Sequence, residues 1–201
     1  MAALESTDGS DYTERMIRLE QPWWKRVLDV QAPYRWNVRR LFGEREVLDV
    51  GCGIGRNLAH LAPRGVGVDH NEHSVQVCRD RGLIAFSTKE FADTDYAEAG
   101  RFGGLLAAHL IEHLPREDAI EVLRGYLPYV APGGLVVLIC PQERGFASDS
   151  THVRFTDLAG LAEIAEKLGL TVDRRISFPL PRAAGKAFLY NEFVLTARVP
   201  G

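Results

Sequence analysis

A chain of 201 residues, 46% hydrophobic and 25% charged, is long enough and apolar enough for one substantial core, so a single globular domain is expected and a fibrous or wholly disordered chain is excluded. A net charge of -3 offers no concentrated positive surface and argues against nucleic acid as a partner. The three cysteines, Cys52, Cys78 and Cys140, are odd in number and lack Cys-x-x-Cys spacing; together with the absence of a leader-like start or a bilayer-length apolar run, this points to a reducing, cytoplasmic setting and no membrane span.

In chain order, residues 1–11 are small and polar and are expected to form a disordered tail. Residues 12–45 read as an N-terminal helical cap of two helices interrupted near Pro22 and Pro33, and they carry all three tryptophans, Trp23, Trp24 and Trp36. These rings either bury the helices against the main fold or roof a binding cleft. From Glu46 to the end the pattern alternates: strands in "EVLDV", "GVGVD", "LIAF", "FGGLLAAH" and "GLVVLICP" are separated by helical segments. Near-continuous apolar strands between helices predict an α/β, Rossmann-like doubly wound sheet, parallel and covered on both faces. A helix over "TDLAGLAEIAEKLG" is expected, with Thr156 as N-cap and Gly169 as stop. The last two runs, "LTVDRRISFPL" and "NEFVLTARV", have no helix between them and should pair antiparallel at one edge, completing seven strands.

The turn after the first strand, "DVGCGIGRNL", discriminates between ligands. A dinucleotide turn needs Gly-x-Gly-x-x-Gly, but here Gly51, Gly53 and Gly55 alternate and Arg56 takes the restrictive third place. A phosphate-binding Gly-Lys-Ser/Thr is also missing. Asp49, two residues before the first glycine, would repel a pyrophosphate and attract a cation, while Asp69 ends the second strand where a ribose-binding carboxylate belongs. A ribonucleoside with a positive centre and an amino-acid tail satisfies both acids.

With "VLDVGCGIGRNL", "GVGVD", "LLAAHLIEHL" and "YVAPGGLVVLICP" in this order, the chain resembles the class I S-adenosylmethionine-dependent methyltransferases, in their small-molecule, ubiquinone-biosynthesis-like branch. The resemblance covers roughly Glu46 to Leu170 and makes residues 46–201 the donor-binding domain. It implies that Gly51, Cys52, Gly53 and Gly55 run beside S-adenosyl-L-methionine, that Asp49 faces its amino-acid end, that Asp69 holds the ribose, and that His70 lies next to the adenine. Glu90 and Phe91, after the third strand, would flank the adenine, and His109 would lie beneath or beside the cofactor. Gly103 departs from the pattern, "FGG" standing where Phe-Asp is usual.

Methyl transfer needs an acceptor aligned with the methyl group and, for a hydroxyl acceptor, a base. His109, closing the fourth strand, and His152, in "PQERGFASDSTHVRFTD", are the candidates for that base or for acceptor binding, with Glu143 and Asp149 as polar or metal-binding helpers. "HLIEH" also matches an inverted zinc-protease pattern, but a strand-helix junction is the wrong setting for it, so Glu112 and His113 are read as structural and no metal site is assigned. The arginines at 35, 39, 40, 174, 175 and 182, with Lys186, read as solvated faces or as contacts for an acidic acceptor, and Tyr190 and Asn191 as part of the acceptor wall. The expected reaction is methylation of a small molecule, with a hydroxyl oxygen favoured, by a monomer or homodimer. A nicotinamide oxidoreductase and a non-catalytic donor-binding protein are the alternatives; Arg56 and the missing Tyr-x-x-x-Lys pair oppose the first, and the presence of both Asp49 and Asp69 opposes the second.

Overall fold

The computed structural model describes residues 13–14 and 31–201; the expected tail at 1–11, the first cap helix, Trp23 and Trp24 lie outside them. Helix α1 (Ala32–Phe42) carries Pro33 in its first turn, where its fixed φ and missing N–H are tolerated. Seven strands follow: β1 (Val47–Val50), β2 (Gly65–Asp69), β3 (Ala85–Ser87), β4 (Phe102–Ala108), β5 (Val130–Pro141), β6 (Thr171–Phe178) and β7 (Glu192–Arg198). Between them run α2 (Arg56–Leu61), α3 (Glu72–Asp80), α4 (Arg116–Tyr126), the one-turn α5 (Glu143–Phe146) and α6 (Leu158–Lys167).

The strands form one sheet in the order β3-β2-β1-β4-β5-β7-β6. β1 to β5 pair parallel with one another, while β7 enters antiparallel between β5 and β6. The doubly wound sheet and its antiparallel C-terminal pair are therefore as the sequence predicts. The chain winds outward from β1 to β3 and then returns to β4, so the switch point, where such sheets open a crevice beyond the strand ends, lies between β1 and β4.

Side chains alternate between the two faces with the strand period of two. Leu48, Val50, Leu105, Ala107, Val136, Leu138 and Cys140 enter the core shared with Ile120 and Leu123 of α4 and Leu161 and Ile164 of α6. Val47, Leu106, Ala108, Val137 and Ile139 enter the opposite core, with Val38 and Phe42 of α1. Phe42 presses so closely on β4 that a Cβ at Gly104 would lie 2.7 Å from its ring, which is why a glycine sits there. The last helix of the expected cap is thus part of the core. Trp36 on the same helix is 58% exposed beneath the Arg40 guanidinium, so it does not anchor α1.

Two helix boundaries show what the pattern resolved. Gly169 (φ 74°) follows α6 as expected, but the N-cap is Asp157, whose carboxylate accepts from Ala159 N and Gly160 N at 3.1 and 2.9 Å. The hydroxyl of Thr156, the residue expected there, is buried without a hydrogen-bond partner. Asp wins because its side chain lies one residue closer to the free N–H groups of the first turn. All three cysteines are free and buried, and no helix among the described residues is long and apolar enough to cross a membrane.

Candidate functional site

The switch point is lined on one side by the loop after β1. Gly51, Gly53 and Gly55 have φ of 73°, 53° and 84°, the left-handed region that glycine enters without Cβ strain. Gly51 N and Cys52 N both donate to Val68 O, at 2.8 and 3.2 Å, tying the loop to β2. A Cβ at Gly53 would meet nothing within 4 Å, so the loop has an open side there. Behind the loop the thiol of Cys78 donates to Gly53 O at 3.2 Å, and Cys52 is held beside it. Contact with the Cys78 thiol and burial hold the Cys52 thiol well above its ordinary range, so its sulfur acts as packing.

Asp69 is fixed before any ligand arrives: Oδ2 accepts from Gly53 N at 2.8 Å and Oδ1 from Asn71 N at 2.9 Å. This carboxylate couples the glycine loop to the turn after β2 and retains lone pairs for further donors. Asp49 is different. It is 1% exposed, its Oδ2 has no hydrogen-bond partner, and burial followed by the charge of Asp69 pushes its pKa up to about 7, against an opposing pull from Arg56. A buried carboxylate with an orphaned oxygen beside an open loop fits a cationic group and not a phosphate. The residues present therefore fit a donor with a ribose and an ammonium-bearing tail.

Around this core the other expected donor residues divide. His70 is nearly half exposed beside Asp69, Nδ1 to Oδ1 3.4 Å. Glu90 is exposed and bound to Arg79 and to Ser87 N, and these hydrogen bonds hold its carboxyl below the ordinary range. Phe91 is 2% exposed, its ring edge-on to Tyr126 and Tyr129; it belongs to the core and supports the loop after β3 from beneath.

The other side of the switch point begins at His109, the only non-glycine residue among those described with positive φ (58°). Its N–H bonds Ile139 O, and the strained backbone turns the ring so that Nδ1 meets Glu112 Oε1 at 3.2 Å and Nε2 meets Glu192 Oε1 at 2.9 Å. Burial alone would lower its pKa, but the hydrogen bonds to Glu112 and Glu192 and their charges prevail and raise it to about 9. The two carboxylates favour the charged imidazolium, and both ring nitrogens are engaged in this arrangement. Glu192 was not foreseen: it opens β7, 83 residues along the chain, and only the antiparallel insertion of β7 beside β5 brings it here.

His152 lies close by. Its Nδ1 donates to Phe146 O at 2.8 Å, its ring stacks on Phe146 and stands edge-on to His113, and its Nε2 is 4.0 Å from Glu112 Oε1. Donor atoms of Glu112, His113 and His152 lie within 4.8 Å of one another, a set able to hold a cation. The zinc-protease reading of "HLIEH" finds no support, because His109 follows the end of β4 and Ile111–His113 is a single 3-10 turn, not a continuous helix. Glu143 and Asp149 face elsewhere: Glu143 pairs with Arg182, and Asp149 accepts from Thr151 N and Oγ1 at 3.0 and 2.8 Å, ordering the loop. Asn191 is buried, its amide donating to Gln142 Oε1 at 3.0 Å, while Tyr190 is 38% exposed and its carbonyl accepts the Tyr34 hydroxyl at 2.6 Å. Of the expected basic sets, Arg182 is committed to Glu143 and Arg39 to His60 O.

Comparison with known proteins agrees with this geometry. Residues 28–174 match the family described as "Methyltransferase domain". The ubiquinone biosynthesis O-methyltransferase of Pseudomonas aeruginosa (strain LESB58) is 29% identical over 136 residues, 60% of this chain, and the chain spans 58% of that relative's length. Among solved structures, a SAM dependent methyltransferase from Archaeoglobus fulgidus superposes with a TM-score of 0.64 at 19% identity, covering 91% of this chain and 99% of that one. The magnesium protoporphyrin IX methyltransferase of Synechocystis PCC 6803 with bound SAH gives a TM-score of 0.64 at 16% identity and covers 96% of each chain. The family match covers most of the chain and the sheet order and glycine loop agree with it; the chain belongs to the methyltransferase domain family, in its class I S-adenosylmethionine-dependent branch.

Proposed function

We propose that the chain transfers a methyl group to a hydroxyl oxygen of a small-molecule acceptor, with His152 removing the proton and His109 holding the acceptor. The observation that carries this reading is that His109, charged and clamped between two carboxylates, stands across the switch point from the orphaned oxygen of Asp49. That the Pseudomonas relative is an O-methyltransferase supports the hydroxyl choice.

When bound, S-adenosylmethionine supplies a methyl group on a sulfonium centre. The glycine loop and Asp69 would hold its nucleoside portion, with His70 and Glu90 at the adenine end and Asp49 at the amino-acid end. His109 offers N–H donors in a fixed orientation, so an acceptor oxygen that takes the place of Glu192 at Nε2 is positioned without reorganising the ring. His152 has the complementary property: with Nδ1–H committed to Phe146 O, its Nε2 can carry a lone pair and take a proton. Phe146 and Phe155 present apolar rings beside it, which suits an aromatic or otherwise apolar acceptor. This assignment involves no nucleic acid, and monomer and homodimer are equally compatible with it.

The test is incubation of metabolite pools with methyl-labelled donor, followed by isolation of the labelled product. An O-methyl product whose formation falls about a hundredfold or more in His152→Asn, with donor binding retained, is expected. An N- or C-methylated product, or full turnover by His152→Asn, would overturn the hydroxyl and base assignments respectively.

A further inference from the structure

Away from the donor loop, the described residues bring one set of metal-type ligands together: donor atoms of Glu112, His113 and His152 lie within 4.8 Å of one another. The backbone fixes their approach. Glu112 O accepts from Val153 N and Arg154 N at 2.8 and 3.2 Å, which ties the 3-10 turn carrying Glu112 and His113 to the loop carrying His152. His152 donates its Nδ1–H to Phe146 O at 2.8 Å, which leaves the lone pair of the neutral ring on Nε2. His113 Nδ1 meets Thr151 O and Oγ1 at 3.3 and 3.2 Å; the carbonyl can only accept and the hydroxyl hydrogen goes to Asp149 Oδ1, so this ring too carries its proton on Nδ1. Burial, the largest influence on it, holds the His113 pKa below the ordinary range and favours the neutral, ligating form. Glu112 is fully buried; its Oε1 meets His109 Nδ1 at 3.2 Å, and its Oε2 has no hydrogen-bond partner. A buried carboxylate with an orphaned oxygen, beside two imidazoles whose Nδ1 atoms are held by main-chain carbonyls, matches a metal centre with its outer shell in place.

We propose that Glu112, His113 and His152 bind a zinc(II) ion, and that the ion, by taking the Nε2 lone pair of His152, blocks methyl transfer. Two imidazoles and one carboxylate form a set that zinc accepts with a fourth position left open, whereas magnesium and calcium call for oxygen ligands. Ligand atoms around a tetrahedral zinc ion stand about 3.4 Å apart, so the three groups close on the ion by small side-chain rotations while the backbone bonds between turn and loop persist. Both histidines are partly exposed, which leaves the ion a way in. His109, the first residue of "HLIEH", stays outside the set as the hydrogen-bond partner of Glu112 and Glu192, so the centre differs from that of the protease pattern. The binding stands on these residues alone; the inhibition rests on the reading of His152 as the base.

The experiment titrates the full chain with zinc chloride and, in parallel, with cobalt(II), whose visible absorption reports tetrahedral coordination. One ion per chain should bind with a Kd of about 10 μM or tighter, and magnesium should not compete. Glu112→Gln and His113→Gln should each weaken binding by at least the roughly tenfold to hundredfold lost when an outer partner of a metal ligand is removed. Glu112→Gln keeps the size of the buried side chain, so a circular dichroism spectrum matching the parent separates a lost ligand from a lost fold. With metabolite pools and methyl-labelled donor, saturating zinc should abolish labelled product while S-adenosylhomocysteine affinity changes less than about twofold, and His113→Gln should need at least about tenfold more zinc for the same inhibition. Absence of saturable binding up to about 1 mM zinc, or binding that both variants leave unchanged, would overturn the site. A fall in donor affinity matching the inhibition would overturn the blocking, since the ion would then act through the donor loop. Zinc bound at these residues with product formation undiminished would refute His152 as the base, and with it the inhibition, while the zinc site itself would stand.

Discussion

On the side of the switch point proposed for the donor Asp49 keeps a carboxylate oxygen without a partner and Gly53 faces open space; on the side proposed for the acceptor His109 has carboxylates on both nitrogens, and Gln142 and Asn191 bond each other, Ser177 and the β7 backbone. Glu112 Oε2 is the acceptor side's exception among the described residues. The difference has a physical meaning. On the proposed reading a ligand on the donor side gains contacts without breaking existing ones, whereas an acceptor would exchange with Glu192 before it reaches His109 Nε2. Donor affinity and acceptor positioning should therefore respond to different substitutions, although Leu110 packs against Gly51 and joins the two sides.

The largest separation is expected from Asp69→Ala. It removes the acceptor for Gly53 N and Asn71 N as well as the proposed ribose contact, and should weaken S-adenosylhomocysteine about a hundredfold or more while circular dichroism retains the α/β signature. Gln142→Leu probes the opposite side: it leaves Asn191 and Glu192 O short of partners and should lower unfolding stability by about 2 kcal/mol in urea titrations, with donor affinity changed less than twofold. A loss of donor affinity in that variant would break the division between the halves.

Protonation sharpens it further. If Asp49 takes the donor's ammonium as proposed, binding favours its ionised form, whose pKa in the donor-free chain is raised to about 7 by burial and by Asp69 despite Arg56. Binding must then release a proton at lower pH, so affinity is level above pH 7 and falls about tenfold per unit below it. Titrations in buffers of different ionisation heat measure the released proton, and Asp49→Asn should abolish the release. The smallest effect belongs to neither half: Asp157→Ala should cost about 1 kcal/mol of stability through the lost N-cap of α6, and Thr156→Val nothing comparable.

The fold around the glycine loop was readable in the sequence because its chemistry is local. Asp49, the alternating glycines and Asp69 lie within one β-α-β unit, and the alternation of apolar runs with helices fixes where each falls. The acceptor half was legible only in part. His109 and His152 were identifiable as residue types, but the charge state of His109 depends on Glu192, which reaches it through strand order and not through any spacing. Phe91 shows the same limit in reverse: the text after β3 suggests an adenine neighbour, yet the packing of α4 and the following turn claims its ring for the core. Thr156 and Asp157 are both good caps on paper, and one residue of helical phase separates them.

The account rests on a donor site built for a cationic nucleoside with an amino-acid tail, and parallel calorimetric titration of the unaltered chain with S-adenosylhomocysteine and with NADH at pH 7.5 tests it most directly. Micromolar or tighter binding of the first and none of the second is the predicted result. Binding of NADH, or silence toward S-adenosylhomocysteine in a folded sample, would contradict it.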